Sequence, residues 1–335
     1  MEESISKVLQ EKQAVEISGK IEALINNIKS VIYVEKLRLE YIIASKIAGG
    51  HVILADTHGV GKTSLARALA GSIDNSHHKT VDTGNSTIQV DPFSRIQCTV
   101  DLLPQDIIGY TRLDGKDGNF MFSKGPIFAN FVLCDEINLL TPKTQGSFFQ
   151  AMEEQKVTVE GKTYNLPSPF FIIATMNLEG AHLFPLPAPQ LDRFMIQISM
   201  GIPGFDDEKN IVNQHSRSDG WISLKQVIKA DELIEWQEMV DRVSIHPELV
   251  DYIVKAIRGT RENPYLLQGA SPRAGVKLSR LARSLALVRG LNFVTPDIIK
   301  ELFVPAISHR VTVRESAGVP AGILADIIES IKIAR

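Results

Sequence analysis

The sequence predicts an α/β protein: an αβα core on a parallel sheet, organised around a phosphate-binding loop and followed by a smaller all-α domain. Three observations lead there. A short apolar strand, Ile53-Leu54-Ala55, runs into Asp56-Thr57-His58-Gly59-Val60-Gly61-Lys62-Thr63-Ser64 and then into a helical spacing of Leu65, Ala66, Leu69, Ala70 and Ile73. Two more apolar runs, Phe131-Val132-Leu133-Cys134 and Phe170-Phe171-Ile172-Ile173-Ala174, lack polar alternation and read as strands buried on both faces. Beyond residue 205 the apolar positions recur at helical intervals.

Composition narrows the class. At 335 residues the chain can bury a large core, and its length suggests two domains with a short extra piece. Its 44% hydrophobic and 22% charged content is that of an ordinary globular protein. A formal net charge of -3 supplies no global attraction for nucleic acid, so no nucleic-acid partner is expected. Cys98 and Cys134 lie in apolar, strand-like runs without metal-ligand spacing and read as buried, reduced thiols. The acidic start Met1-Glu2-Glu3 is unlike a secretory leader, and no apolar run approaches the roughly 18 residues that span a bilayer. A cytoplasmic protein without a membrane span is the expectation.

Taken in order, residues 1–30 are polar with a stripe at Ile21, Leu24, Ile25 and Ile28, an amphipathic helix that packs on the next domain. Leu39, Ile42, Ile43 and Ile47 mark a second helix, stopped by Gly49-Gly50. His51 to Leu54 then feeds the loop. There, successive backbone N–H groups and a helix N-terminus face an anion, Lys62 reaches the β- and γ-phosphates, and the Thr63 hydroxyl ligates Mg²⁺. The pattern G-x-x-x-x-G-K-[ST] asks for glycine where this chain has Asp56. Asn75 to Asp91 is polar and reads as a flexible surface insertion, with His77-His78 a solvated pair. Arg95 to Val100 reads as the second strand, and Leu102 to Lys124 as turns and short strands projecting from the body.

The run ending at Cys134 continues into Asp135-Glu136. At the C-terminal edge of a parallel sheet, Asp135 holds Mg²⁺ through water and Glu136 orients and polarises the attacking water. Val157 to Tyr164 alternates as a hairpin with Glu160-Gly161-Lys162 at its turn. The strand after it ends in Asn177, placed to hydrogen-bond the γ-phosphate or the water. Pro185 to Phe194 ends the sheet domain, and Pro203-Gly204 reads as a linker. The helical remainder has stripes at Val250, Ile253, Val254 and Ile257, at Leu278, Leu281, Leu285 and Val288, and at Leu324, Ile327, Ile328 and Ile331. Between the first two, Ser271 is an N-cap, Pro272 the first helical position, and Arg273 a candidate functional residue.

Phosphate loop, Asp-Glu strand end, strand-terminal Asn, Leu191-Asp192-Arg193-Phe194 and Ser271-Pro272-Arg273-Ala274 together resemble an AAA+ ATPase. The connecting phrases resemble the MoxR family: Arg95-Ile96-Gln97, Asp101-Leu102-Leu103-Pro104-Gln105-Asp106-Ile107-Ile108-Gly109, Gly125-Pro126-Ile127-Phe128-Ala129-Asn130 and Ala151-Met152-Glu153-Glu154-Gln155-Lys156-Val157-Thr158. The similarity spans roughly residues 31–311.

The resemblance implies a division into a helix at 1–30, an AAA+ core at 31–202 and a helical lid at 205–335. The core would carry a helix-2 insert at about 102–124 and a pre-sensor-1 hairpin at about 157–166. It implies Walker A residues from Asp56 to Ser64, with Lys62 and Thr63 as the reactive pair, and Walker B residues Asp135 and Glu136. Asn177 matches sensor 1, Arg193 the arginine finger for a neighbouring subunit, and Arg273 sensor 2. Val31 to Val34, with Ile32, lies where the family holds adenine. ATP and Mg²⁺ are the implied cofactors. Family members form hexameric rings, act as chaperone-like remodelers of protein clients, and often work with partners carrying von Willebrand factor A domains.

The chain departs from the pattern at Asp56 and His58, which replace Gly and Pro, at Tyr33, at Ala188 in place of Glu, and in the extra stretch from Asn75 to Asp91. Asp56 motivates a second reading, a nucleotide-binding scaffold or switch with weak hydrolysis, since a carboxylate near phosphates is repelled. A nucleic-acid motor is a third, disfavoured because the 157–166 hairpin carries only Lys162, with Lys156 at its base. The Asn-Lys-x-Asp guanine-reading run of GTPases does not occur in the sequence.

Overall fold

The computed structural model describes residues 9–56, 61–82, 87–113, 120–176, 184–214, 224–314 and 318–332. Two helices come first, α1 (Glu11–Lys29) and α2 (Lys36–Ile47), and both bury the expected stripes. Gly49 follows α2 with φ +76, the left-handed stop that glycine supplies without strain. Strand β1 (Val52–Ala55) leads to α3 (Lys62–Gly71). Ile73, expected on that helix, instead lies in β2 (Ile73–Asp74), which pairs in parallel with a distant segment at Ile228. A distant pairing of that kind leaves no periodic trace in sequence.

The polar insertion forms a hairpin, β3 (Thr80–Asp82) with β4 (Thr87–Gln89). Strand β5 (Asp91–Gln97) begins before Arg95 and ends before Val100, so the expected strand was placed too late. Its Pro92 is tolerated because β5 is an edge strand, where a missing N–H interrupts no ladder. The 102–124 region contains a helix that was read as turns, α4 (Pro104–Ile108), whose first turn is fixed by the Leu103 N–H donating to Asp106 Oδ2 at 2.8 Å. It continues as an antiparallel hairpin, β6 (Gly109–Leu113) and β7 (Phe120–Lys124).

The remaining core elements are β8 (Ala129–Asp135), α5 (Pro142–Glu154), the hairpin β9 (Lys156–Val159) and β10 (Lys162–Asn165), β11 (Phe171–Met176), α6 (Ala188–Leu191) and β12 (Ile196–Ile198). The sheet therefore does not end at Phe194, as expected from the sequence. β12 follows it and pairs with β1, Val52 beside Ile196. A three-residue strand is too short to announce itself by pattern.

The sheet has the order β12-β1-β11-β8-β5, and every pairing in it is parallel. Alternation along the strands sorts its side chains onto two faces. Val52, Leu54, Phe131, Leu133, Phe171 and Ile173 face a core shared with α1, α2 and α3, while Ile53, Val132, Cys134, Ile172 and Ala174 face α5. Cys134 and Cys98 are buried free thiols, with Cys98 one residue beyond β5.

The rest is helical with three two- or three-residue strands: α7 (Phe205–Gln214), β13 (Ile228–Lys229), α8 (Ala230–Met239), α9 (Pro247–Glu262), β14 (Leu266–Gln268), α10 (Pro272–Val288), α11 (Pro296–Ile307), β15 (Thr312–Val313) and α12 (Pro320–Ser330). On α9 only Ile253 and Ile257 of the expected stripe are buried; Val250 and Val254 stand on the exposed side. Helix α1 packs along α10, and the Leu9 N–H donates to Arg242 O at 3.1 Å. The first helices are thus part of the packing of the last ones. Arg289 forks between Glu40 on α2 and Glu301 on α11, with Nη2 at 2.9 and 2.7 Å, tightening that junction. Among the described residues no helix is long and apolar enough to cross a membrane.

Candidate functional site

The C-terminal ends of β1, β11 and β8 lie side by side, with Asp56 just past β1, and Asp135 and Glu136 at the end of β8. Gly61 begins α3 in the left-handed region, φ 85, a conformation that a side chain resists. Lys62 follows at the first position of α3 and donates from Nζ to Asp56 O at 2.9 Å. Thr63 and Ser64 continue the first turn, and a helix start of this kind favours an anion through its N–H groups and dipole. Thr57, His58, Gly59 and Val60 lie outside the described residues, as does Asn177.

Asp56 behaves differently from the expectation of a carboxylate facing phosphate. Its φ is not in the left-handed region that would demand glycine. Its side chain turns to the end of β12, where Oδ1 accepts from the Ser199 hydroxyl and Oδ2 from the Met200 N–H at 2.7 Å. Ser199 in turn accepts from the Gly201 N–H at 2.9 Å. The carboxylate is engaged by the chain that leaves the sheet, which removes the stated basis of the scaffold reading.

Asp135 is the last residue of β8, with its side chain only 13% exposed. It shares a face with Phe131 and Leu133, the face that carries α3. Its Oδ1 accepts from Thr175 Oγ1 at 2.8 Å, and Oδ2 takes Arg95 Nε at 3.0 and Nη2 at 2.7 Å. Glu136 leaves the strand in a left-handed conformation, φ 58, and its N–H donates to the same Thr175 oxygen at 2.8 Å. Thr175 thus fixes both acidic residues to β11. Thr63 and Asp135 offer hard oxygen donors, the kind Mg²⁺ takes when it keeps waters and phosphate oxygens as its other ligands. Ile32, at the other candidate contact, is buried behind α1.

Arg193 sits between α6 and β12, its Nε 2.9 Å from Glu153 Oε2 and its guanidinium 5.8 Å from the Phe149 ring centre. Arg273 lies exposed in the first turn of α10. Residues that the sequence reading missed join these two. Arg310 is buried and donates from Nε to Asp192 Oδ1 at 2.7 Å and from its Nη atoms to Phe194 O and Ala306 O. Lys277 donates to Asp192 O, and Ser271 Oγ lies 3.4 Å from Asp192 Oδ2. Burial pushes the Lys277 ammonium down to about 8. A buried Arg-Asp pair is visible in sequence only as His309-Arg310, with no spacing to single it out.

His77 and His78 are not a merely solvated pair: Nδ1 of one and Nε2 of the other reach the two oxygens of Asp231 on α8, at 3.2 and 2.8 Å. Those hydrogen bonds hold the Asp231 carboxyl below its ordinary range.

A nucleotide-binding core of parallel strands and helices, joined to a helical domain that grips its last strand, defines an ATPase of the AAA class. Residues 51–196 match the ATPase family associated with various cellular activities, and residues 258–331 match the AAA lid domain. The chain is 37% identical to the uncharacterized protein YeaC of Bacillus subtilis over 87% of its own length and 88% of YeaC. It is 33% identical to chaperone MoxR1 of Mycobacterium tuberculosis over 89% of itself and 77% of that protein. The crystal structure of a candidate ATPase from Cytophaga hutchinsonii superposes with a TM-score of 0.85 at 29% identity, covering 97% of this chain and 98% of the other. The chain belongs to the MoxR family of AAA+ ATPases and is an ATP hydrolase.

Proposed function

We propose that the chain binds Mg-ATP at the start of α3, hydrolyses it in a ring of identical subunits, and uses the cycle to remodel or mature a protein client. The observation that carries this reading is that Lys62 opens α3 after β1 while Asp135 ends β8 and Glu136 follows it, with β11 the single strand between β1 and β8 in one parallel sheet. In it the loop from Asp56 to Ser64 holds the phosphates, Lys62 neutralises the β- and γ-phosphates, and Ile32 lies against the base. Thr63 and Asp135 hold Mg²⁺, which when bound neutralises charge developing on the transferred phosphoryl group. Glu136 orients the attacking water, Asn177 hydrogen-bonds that water or the γ-phosphate, and Arg273 senses the nucleotide from the lid. Arg193 serves a neighbour's γ-phosphate, so turnover depends on assembly. A trans arginine is worth about 10³–10⁵ in rate where measured.

The division at 1–30, 31–202 and 205–335, a hexameric ring, a cytoplasmic location and a partner with a von Willebrand factor A domain belong to the same proposal. The client surface is the pair of inserts. Tyr110, Leu113, Phe120 and Met121 of the β6–β7 hairpin are solvent-exposed, an apolar group of the kind that marks interaction sites. Phe122 stacks on Tyr164 of β10 at 4.1 Å between ring centres, which joins the two inserts into one surface.

ATP turnover measured across protein concentration tests the reading. Specific activity should rise through assembly, Glu136→Gln should retain ATP without releasing product, and Lys62→Ala should lose binding. Wild-type turnover no greater than that of Lys62→Ala at every concentration would refute it.

A further inference from the structure

Arg95 holds a position that the nucleotide reading leaves without a task. Phe93, Arg95 and Gln97 alternate onto one face of β5, and the register sets Arg95 beside Leu133 and Gln97 beside Asp135 on β8. Arg95 therefore reaches forward along its neighbour strand, and both Nε and Nη2 close on Oδ2 of Asp135, at 3.0 and 2.7 Å. Gln97 Oε1 accepts from the same Nη2 at 2.7 Å and steadies the fork. With Thr175 on Oδ1, both carboxylate oxygens are occupied by protein donors.

The energetics explain why. A carboxylate with only 13% of its side chain exposed is costly to keep charged when no cation faces it. Arg95 has 48% of its side chain exposed, so solvent reaches the guanidinium from the open edge of the sheet. We propose that Arg95 is a positioning residue, the resident counter-cation of the metal site. It holds the Asp135 carboxylate aimed while the nucleotide is away, and it competes with the incoming divalent cation for Oδ2. A role in tuning the metal requirement follows: the guanidinium sets how much Mg²⁺ is needed before Mg-ATP displaces it.

This inference rests on the placement of Mg²⁺ at Asp135, so its test separates the two. In the full chain, Arg95→Gln and Arg95→Lys are compared with wild type and Lys62→Ala in two assays. The first is the thermal midpoint without nucleotide, in EDTA and with Mg²⁺ alone. The second is binding of a fluorescent ATP analogue across Mg²⁺ concentration. Arg95→Gln should melt lower in EDTA and recover with Mg²⁺ alone, whereas wild type gains little. Its half-saturating Mg²⁺ for nucleotide binding should fall at least about fivefold, because the competing cation is gone. Arg95→Lys, a point charge without the fork, should fall between, and it carries the comparison if the glutamine variant does not fold. An identical Mg²⁺ dependence in wild type and both variants overturns the proposal. Failure of wild type to bind the analogue would instead overturn the nucleotide reading, with the Mg²⁺-only melting arm still deciding the role of Arg95.

Discussion

Replacing Asp56 by the glycine its family uses should weaken the fold while leaving ATP affinity almost unchanged. The carboxylate takes one hydroxyl and one backbone N–H at the end of β12, the latter at 2.7 Å. Hydrogen bonds to a charged group contribute about 1.5–3 kcal/mol when shielded and less when solvent competes, so the partly exposed pair is worth about 2–3 kcal/mol. Glycine adds a backbone entropy cost of roughly 0.5–1 kcal/mol. The sum, about 2.5–4 kcal/mol, should lower the thermal midpoint by about 3–6 °C, given an unfolding entropy of about 0.7 kcal/mol/K for 335 residues. The Lys62 contact uses the backbone oxygen of residue 56 and survives the change. Differential scanning fluorimetry and titration with a fluorescent ATP analogue read the two quantities on one preparation. Asp56→Asn is the companion, since its amide N–H₂ sets a donor against the Ser199 hydroxyl or the Met200 N–H. A tenfold or larger gain in ATP affinity with an unchanged midpoint would refute the reasoning and return the carboxylate to the phosphates.

Three other outcomes follow from the same contacts. Burial pushes His51 down to about 3 and His309 well below its ordinary 6.5, so both are neutral in the fold while the unfolded chain takes up their protons. The unfolded state then binds more protons, so this stability is whole above pH 6.5 and falls by about 1.4 kcal/mol per pH unit per histidine below it; urea unfolding should show a loss of about 3 kcal/mol between pH 7.5 and 5.5. Arg289→Ala leaves Glu40 and Glu301 facing each other and should cost about 2–4 kcal/mol by denaturant unfolding, with lysine a poor substitute because it cannot fork between two acids. Asp192→Asn should leave nucleotide binding within about twofold but lower turnover in the assembled state at least about tenfold, since a misplaced charge-stabilising group costs rate rather than binding; equal kcat in wild type and variant would show that this anchor does not matter.

What could be read from the sequence was local. The helical stripes of α1, α2 and α10, the strand ending at Asp135 and the hairpin turning at Glu160-Gly161 all depend on residues a few positions apart, where periodicity speaks directly. The strand β1 and the helix start at Lys62 were legible for the same reason, because they lie in one short stretch. What escaped depended on partners far along the chain. Ile73 meets Ile228, His78 meets Asp231, Asp192 meets Arg310, and Asp56 meets Ser199. Asp56 is the instructive case. Glycine is favoured at such a position because it permits many conformations, but a side chain with an outlet of its own can stand there, and that outlet is invisible until β12 is placed beside β1.

The grip on Asp192 has a consequence for an assembly. Lys277 on α10 and Ser271 at its N-cap, together with Arg310, hold the residue that immediately precedes Arg193. Arg273 lies on the same helix as Lys277, one turn from it, and just after the Ser271 cap. If Arg193 serves the ATP of the next subunit and Arg273 reads its own, then each subunit's reader and its gift to the neighbour ride on one rigid piece. News of occupancy would then pass around a ring in one sense only, from the subunit that has closed on its nucleotide to the one whose nucleotide it helps to cleave. A ring wired this way would have a built-in direction, set by the carboxylate of Asp192 that ties the two arginines' supports together.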